Sequence, residues 1–149
     1  MLRVTCAVII HHGKILVAQR GVNSDHSFQW EFPGGKLKRG ETPENCIVRE
    51  IKEELDIRID ILEKMYPVKW DYGFKKIELI PFLCSIKFGQ INLTEHHQFL
   101  WKYLGSISNL NFSEADRELI NHSANRAILK EYLGENMNDS GENGCPSYK

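Results

Sequence analysis

The feature that most constrains the fold of this chain is one amphipathic helix pattern that follows a turn rich in glycine and proline. Thr42 is a residue type that caps helix N-termini, and Pro43 suits the first helical position. Apolar residues then recur about one turn apart at Ile47, Ile51 and Leu55. The sequence therefore predicts a helix whose apolar face packs against a core, and the neighbouring elements must supply that core.

Strand patterns precede this helix. Residues 4–10 are largely apolar and β-branched, residues 11–14 mark a turn, and residues 15–18 are apolar again, which predicts a hairpin. Residues 28–32 alternate between apolar and polar types and predict a short strand that ends at Pro33-Gly34-Gly35. The two glycines leave the backbone there free to approach a ligand.

Strand and helix patterns also follow the helix. Further strands are predicted at residues 57–62, 76–86 and 99–104, and Pro81 indicates an edge strand or a bulge in the second of them. A last helix is predicted to begin near Ser113 and to break near residues 121–123. Strands on both sides of a helix, closed by another helix, indicate the α/β class with a mixed β-sheet sandwiched between helices.

The length of 149 residues is typical of a single domain. We place that domain at residues 1–133. Residues 134–149 hold three glycines, three asparagines and almost nothing apolar, so we expect a disordered polar tail there.

Composition excludes several classes of function. The 19 Lys and Arg residues nearly balance the 20 Asp and Glu residues, which removes the electrostatic footprint of a general nucleic-acid binder. The longest apolar run, residues 6–10, is too short to span a membrane, and no signal-peptide pattern is present. The four cysteines lie far apart without a CxxC pair, which favours isolated thiols in a reducing compartment and a cytoplasmic protein. These cysteines are Cys6, Cys46, Cys84 and Cys145.

Three glutamates on the predicted helix indicate chemistry. Glu50, Glu53 and Glu54 fall within an arc of roughly 100°, away from the apolar face. Like charges at this spacing repel, and a hard divalent cation such as Mg²⁺ would compensate them. Glu41 lies just before the helix, and Arg49 lies beside the cluster. A solvated acidic helix face is the alternative, and the glutamates alone leave both interpretations open.

The segment that holds these glutamates resembles the Nudix box. Gly35 is followed by five residues, Glu41, seven residues and then Arg-Glu-Ile-Lys-Glu-Glu at residues 49–54, with apolar Ile57 at the end. Asp56 stands where the family has a glycine that ends the helix. Aspartate tolerates the left-handed conformation better than most residues, so we expect a small stability cost and no loss of chemistry.

The resemblance extends from about residue 3 to about residue 120. Residues 30–36 look like the entry to the box in MutT-type members, which hydrolyse nucleoside triphosphates. Arg20 ends a strand where that subfamily has an arginine that contacts substrate. Glu95 is similar in placement to a loop glutamate of the family's metal site, and residues 112–116 resemble the segment that reads the base.

The resemblance implies a Nudix-like α/β/α sandwich and a Mg²⁺-dependent activity, with Mn²⁺ as a substitute. The implied reaction cleaves a (deoxy)nucleoside triphosphate to a monophosphate and pyrophosphate, which cleans the nucleotide pool and protects DNA. Substrates of the 8-oxo-dGTP type or of the CTP and 5-methyl-dCTP type are implied. The implied partner is this small nucleotide, with no nucleic acid polymer and no membrane, and the protein is expected to be a monomer or homodimer.

The same resemblance implies the catalytic residues. The Gly35 carbonyl and the carboxylates of Glu50, Glu53, Glu54 and Glu95 are the implied metal ligands. Glu53 is the first choice as general base, with Glu54 and Glu95 as competitors. Arg49 is expected to orient a neighbouring glutamate. His96 and His97 follow Glu95 directly, but a site rich in carboxylates favours hard oxygen donors over imidazole.

Substrate contacts are expected on both sides of the box. Arg20 and Lys36 are expected to meet phosphate, and Phe74 and Phe112 are candidates for stacking on the base, as are Trp30 and Tyr72. Asp116 is expected to read the base: an ionised carboxylate accepts hydrogen bonds from an amino group such as that of cytosine, whereas MutT-type readers of 8-oxoguanine often carry Asn here. A charge in the first turn of a helix is the alternative role for Asp116.

Two other functions stay open at this stage. One is a Nudix hydrolase of ADP-ribose or of dinucleoside polyphosphates, for which Tyr72, fifteen residues after Ile57, is weak support. The other is a non-catalytic nucleotide sensor. The intact set of clustered carboxylates argues against the sensor, because their mutual repulsion has no structural purpose.

Overall fold

The computed structural model describes residues 1–134 of the chain. The strands are β1 (Leu2–His11), β2 (Lys14–Gln19), β3 (Trp30–Glu31), β4 (Gly34–Lys36), β5 (Arg58–Lys64), β6 (Val68–Asp71), β7 (Lys76–Phe88) and β8 (Gln98–Lys102). The helices are α1 (Pro43–Leu55), α2 (Glu114–Asn121) and α3 (Ser123–Leu133), with a 3₁₀ helix at Leu104–Asn109. The expected tail at residues 134–149 and Cys145 lie outside the described residues, apart from Gly134.

The strands form one mixed sheet. Its central order is β3-β2-β1-β7-β5, while β4 pairs with β1, β6 with β7 and β8 with β2. The β1–β7 pair is parallel and the others are antiparallel. Helix α1 packs on one face of the sheet, and α2 and α3 pack on the other. The predicted α/β sandwich with a mixed sheet is confirmed.

The core has two layers because the central strand is buried on both faces. Successive residues of β1 alternate: Val8 belongs to the cluster that contains Leu119, and Ile9 belongs to the cluster that contains Ile47 and Ile51. This alternation follows from the two-residue period of a strand. It explains why residues 4–10 are nearly all apolar in the sequence.

Helix α1 begins as the sequence predicts. The Thr42 side chain accepts a hydrogen bond from the Asn45 N–H at 3.1 Å, and Pro43 is the first helical residue. The helix ends at Asp56, whose backbone is left-handed (φ 60°, ψ 34°) and whose N–H donates to the Lys52 carbonyl. Aspartate therefore adopts the left-handed conformation at this position, as the sequence predicts. The Lys52 ammonium lies 2.7 Å from the Asp56 carboxylate.

The expectation that Pro81 marks an edge strand or a bulge is wrong about the edge. Strand β7 lies inside the sheet, between β1 on one side and β5 and β6 on the other. Pro81 falls where the partner changes, because β5 pairs as far as Phe82 and β6 pairs from Leu79. The Pro81 carbonyl accepts the N–H of Met65 in the connecting segment. The missing proline N–H therefore falls at a break in the ladder, where no partner strand requires it.

The sequence predicts a free turn at Gly34 and Gly35, but in the structure both residues belong to strand β4. Gly34 pairs with Cys6 of β1. A side chain at Gly34 would collide with the backbone carbonyl of Thr5. The glycine is therefore required by the close approach of two backbones, a reason that the spacing of the motif does not show.

The remaining differences are short elements. Strand β3 spans two residues rather than residues 28–32, because Phe28 has a φ of 67°, outside the range of a strand. Strand β6 was not predicted, since four residues give too short a pattern to recognise. Among residues 1–134, no helix is both long and apolar enough to cross a membrane.

The end of α1 gives a test of the departure from the Nudix pattern. We expect Asp56→Gly to raise the free energy of unfolding by about 0.5 kcal/mol, because glycine adopts the left-handed conformation without strain. Asp56→Ala should lower it by about 1 kcal/mol, because alanine has the strain and lacks the polar side chain. Urea denaturation measures both, and equal effects of Gly and Ala would contradict the conformational explanation.

Candidate active site

A cleft of about 390 Å³ is lined by residues of the sheet, of the loops beside it, of the end of α1 and of the start of α2. Leu2, Val4 and Leu79 form part of its wall. Polar side chains from five segments of the chain line the rest. They include Arg20, Asp25, His26, Glu31, Lys36, Glu54, Tyr72, Lys75, Glu95, His96 and Asp116.

Arg49 is the centre of an ion-pair network beside the cleft. Its Nε and Nη2 atoms donate to the two oxygens of Glu41 at 2.7 and 2.9 Å. Its Nη1 atom donates to Glu50 at 2.8 Å and to Glu53 at 3.3 Å. The hydrogen bonds from Arg49, with one from the Lys38 N–H, lower the pKa of Glu41 to about 2. One guanidinium thus holds three carboxylates of the predicted site in place.

Glu54 is the exception among these glutamates. Its Oε1 atom is buried and has no hydrogen-bond partner within residues 1–134. Burial, together with the nearby carboxylates of Glu31, Glu50 and Glu95, raises the pKa of Glu54 to about 9, although a backbone hydrogen bond from Gly34 lowers it in part. Glu54 is therefore a buried carboxyl among other carboxylates, and within residues 1–134 no ion pair joins it to a cationic side chain.

Gly35 lies against the same group of carboxylates. A side chain at Gly35 would overlap the carboxylate of Glu50, which would have to move from its present position to make room. The Gly35 carbonyl accepts a hydrogen bond of 3.1 Å from the hydroxyl of Thr5, and the Cys46 thiol lies 3.2 Å from that hydroxyl. The backbone of β4 is therefore held from beneath by β1 and α1.

The residues present fit a divalent cation, although the side chains are not preassembled around one. Within residues 1–134, no three His, Cys, Asp or Glu side chains are arranged to hold a metal ion. Glu50 and Glu53 are engaged by Arg49 instead. The Glu54 Oε1 atom nevertheless has no partner in the described part of the chain and lies among several carboxylates. A hard cation would supply the positive charge that this group of oxygens lacks.

Glu31 is a residue that the sequence analysis did not select. Its Oε1 atom accepts a hydrogen bond of 2.8 Å from Arg20 Nη1, and its Oε2 atom lies 2.9 Å from His96 Nε2. The Arg20 Nε atom donates to the Asp25 carbonyl at 2.8 Å. Glu31 thus joins the end of β2 to the loop that carries Glu95. Its signal in the sequence was only parity, because it lies between the inward-facing Trp30 and Phe32 of the alternating pattern.

Asp116 lines the cleft and is only 6% exposed. Its Oδ2 atom accepts the Phe32 N–H at 2.8 Å. Burial raises the pKa of Asp116 well above its ordinary value, and the charge of Glu31 adds to this, whereas the Phe32 bond and Arg20 lower it. The raised pKa favours the protonated carboxyl over the ionised acceptor expected from the sequence, and a protonated carboxyl donates one hydrogen bond as well as accepting others.

The structure brings most of the predicted site residues to the cleft but not all of them. Those on its wall are Arg20, Gly35, Lys36, Glu54, Phe74, Glu95 and Asp116. Glu50 lies directly behind Gly35. Glu53 and Arg49 do not line the cleft, and the Glu53 side chain is 55% exposed.

The aromatic candidates separate in the same way. Phe112 is 3% exposed and packs edge-to-face on Phe32 in the core, 5.0 Å between ring centroids, so the expectation that it stacks on substrate is wrong. Trp30 is also in the core. Phe74 lies at the cleft with 74% of its surface exposed, and Tyr72 lies next to it. An aromatic residue next to a strand pattern does not by itself show which of these two environments it occupies.

Comparisons with known proteins relate the chain to one family. The family model of the NUDIX domain matches residues 1–122. A CTP pyrophosphohydrolase of Escherichia coli K12 is 34% identical over 101 residues, 68% of this chain and 75% of that protein. An 8-oxo-dGTP diphosphatase of Buchnera aphidicola from Acyrthosiphon pisum is 34% identical over 100 residues, 67% of this chain and 81% of that protein. The solution structure of the E. coli ORF135 protein matches with a TM-score of 0.74 at 28% identity, covering 91% of this chain and 95% of that one.

The environment of Glu54 predicts how stability depends on pH in the absence of metal. The folded protein keeps a proton on Glu54 up to about pH 9, whereas the unfolded chain releases it near its ordinary pKa of 4.5. The resulting stabilisation is complete below the unfolded pKa and is lost as the pH rises towards 9, by at most about 1.4 kcal/mol per pH unit. We expect the Tm of the wild type in EDTA to fall between about pH 6 and pH 9. The Tm of Glu54→Gln should fall less steeply, because this variant keeps only the pH dependence of stability that comes from Asp116.

The matched control for this experiment is Glu118→Gln, because Glu118 is exposed on α2. Its melting curves should follow the pH dependence of the wild type. Equal slopes for the wild type and Glu54→Gln would show that Glu54 is ionised in the folded protein without metal.

Proposed function

We propose that this chain, which belongs to the NUDIX domain family, is a MutT-type hydrolase that cleaves a (deoxy)nucleoside triphosphate to a monophosphate and pyrophosphate. The observation that carries the proposal is the layout of the cleft. The buried carboxyl of Glu54, with an oxygen unpartnered among the described residues, the buried Asp116 and the cations Arg20 and Lys36 all line this one cleft. A triphosphate joined to a base needs these three environments in one cavity.

The properties of Asp116 support a substrate whose base has a hydrogen-bond donor and an acceptor side by side. A protonated Asp116 carboxyl both donates and accepts. Cytosine presents its N4 amino group beside an acceptor nitrogen. Unmodified guanine has a donor beside an acceptor at N1–H and O6, but its major-groove edge presents two acceptors, N7 and O6. Oxidation at C8 turns guanine N7 into a donor. We therefore propose a substrate of the CTP or 5-methyl-dCTP type or of the 8-oxo-dGTP type, consistent with the names of the two relatives.

The carboxylates around Glu54 support a divalent cation, which Nudix hydrolases use in general. We propose that Glu50, Glu53, Glu54 and the Gly35 carbonyl would hold Mg²⁺ or Mn²⁺, with Glu95 close by. Such an ion neutralises phosphate charge and stabilises the charge that develops in the transition state. Arg49 and Glu41 keep the helix and the preceding loop in the position from which these ligands project.

The remaining steps belong to side chains on the cleft wall. Arg20 is tied to Glu31 and to the Asp25 carbonyl, which orients its guanidinium for phosphate. Lys36 supplies a second cation on the same wall. We assign the acceptance of the proton of the attacking water to Glu95, because it is exposed at the cleft. Glu53, the first choice from the sequence, lies outside the cleft wall and is paired with Arg49.

Product analysis on a nucleotide panel tests the proposed function. The panel contains 8-oxo-dGTP, dGTP, CTP, dCTP, 5-methyl-dCTP, ADP-ribose and a dinucleoside tetraphosphate, each with Mg²⁺. We expect a monophosphate and pyrophosphate from one class of triphosphate, and none in EDTA. Cleavage of ADP-ribose or of the dinucleotide alone would replace the substrate class, and binding without turnover would identify a sensor.

Three glutamine variants test the assignment of the carboxylates. We expect Glu54→Gln and Glu95→Gln to lower kcat at least about 100-fold, the range in which a missing proton acceptor or charge-stabilising group acts. Glu53→Gln should cause a loss of kcat about tenfold smaller than that of Glu95→Gln, because it removes one of several carboxylates proposed to hold the metal and leaves the proposed proton acceptor in place. Steady-state kinetics on the preferred triphosphate measure this, with Glu118→Gln as the control. A loss for Glu53→Gln as large as that for Glu95→Gln would return the base to Glu53.

A further inference from the structure

The first turn of α2 has an unusual set of hydrogen-bond partners. Ser113 precedes the helix, but its side chain makes no capping hydrogen bond. Asp116 is the residue that would bond back to the start of the helix in a capping box, and its carboxyl instead accepts the Phe32 N–H. Both local sources of a cap are therefore absent, which leaves the Ala115 N–H to another partner.

That partner is the hydroxyl of Tyr72, from the connection between β6 and β7. The Ala115 N–H donates to the Tyr72 oxygen at 3.1 Å, across 43 residues of sequence. The Ser113 hydroxyl lies 3.5 Å from the same oxygen. Next to it, Trp70 Nε1 donates to the Glu114 carboxylate at 3.1 Å. The end of β6 and the segment after it thus hold the start of α2 by its backbone and by a side chain.

The opposite side of the same turn is attached to β3. The Ser113 N–H donates to the Trp30 carbonyl at 2.9 Å, and the Asp116 carboxyl takes the Phe32 N–H at 2.8 Å. The position of Asp116 in the cleft is therefore set from two sides, by β3 and by Tyr72. Of these, Tyr72 also lines the cleft itself, with its ring 6.3 Å from that of His26.

We propose that Tyr72 is a positioning residue for base recognition: its hydroxyl holds the Ala115 N–H and thereby sets the place and orientation of Asp116 towards the bound base. This inference rests on the proposed function, because it concerns the base of the same triphosphate. Tyr72 acts through the first turn of α2, so it affects which base is bound and how well. It does not take part in the cleavage of the phosphate.

Tyr72→Phe tests this directly, because it removes the hydroxyl and keeps the ring. We expect the KM for the preferred triphosphate to rise about two- to tenfold, the ratio that corresponds to one neutral hydrogen bond, while kcat changes less than about twofold. The ratio of kcat/KM between the preferred and the disfavoured base should fall. Asp116→Asn, which alters the recognition group itself, serves as the positive control for altered base preference.

The matched control is Tyr66→Phe, because Tyr66 is 55% exposed and its ring stacks on His122 away from the cleft. This variant should keep the KM and the base preference of the wild type. Amide hydrogen exchange, followed by NMR, adds a readout that does not need activity. The Ala115 N–H should exchange faster in Tyr72→Phe and at the wild-type rate in Tyr66→Phe.

Each result decides the proposal. Faster exchange at Ala115 together with a higher KM and weaker base preference supports it. Faster exchange with unchanged base preference would reduce Tyr72 to a structural cap, and unchanged exchange would show that the hydrogen bond does not hold the turn. A wild-type protein that cleaves no triphosphate would overturn the proposed function, and the recognition role would fall with it even where exchange shows the cap.

Discussion

The bidentate ion pair between Arg49 and Glu41 is the interaction on which the rest of the site depends. It joins the loop before α1 to the middle of the helix, and the same guanidinium reaches Glu50 and Glu53. Three carboxylates thereby share one guanidinium without a ligand. Glu54 lies outside this network, one turn from Glu50, and its pKa is raised because it is buried among other carboxylates. Of the three clustered glutamates of α1, two therefore contact the arginine and the third lines the cleft.

The cleft has a second constraint at Asp116. Asp116 is buried because the start of α2 is attached to β3 and to Tyr72, and these attachments use hydrogen-bonding groups that would otherwise cap the helix. The cost of an uncapped turn is met by bonds from distant parts of the chain. Glu31 is bound to Arg20 and His96, and its charge raises the pKa of both Glu54 and Asp116. Glu54 and Asp116 are therefore electrostatically linked through one carboxylate.

The elements that local rules describe were predictable. Helix α1 has its cap, its proline and its apolar stripe in one stretch of sequence, and each acts as expected. The left-handed end at Asp56 was predictable because a single residue type replaced glycine at a position with a known conformation. Pro81 was misjudged, since its tolerance depends on where β5 stops and β6 starts as partners of β7, which no local pattern encodes. Strand β6, the collision that requires Gly34 and the burial of Phe112 are likewise set by distant segments.

By itself the sequence determined the α/β class, the helix with its ordered glutamates and the family that this spacing identifies, because these depend on patterns within short continuous stretches of the chain. The tertiary structure decided which of the glutamates face the cleft, that Glu31 and Tyr72 belong to the site, and that Asp116 is buried enough to favour its protonated form. These properties arise from pairs of residues far apart in the chain, such as Asp116 with Phe32 and Tyr72 with Ala115. Burial and charge in a cleft are sums over several segments, and the sequence pattern of any one segment does not contain them.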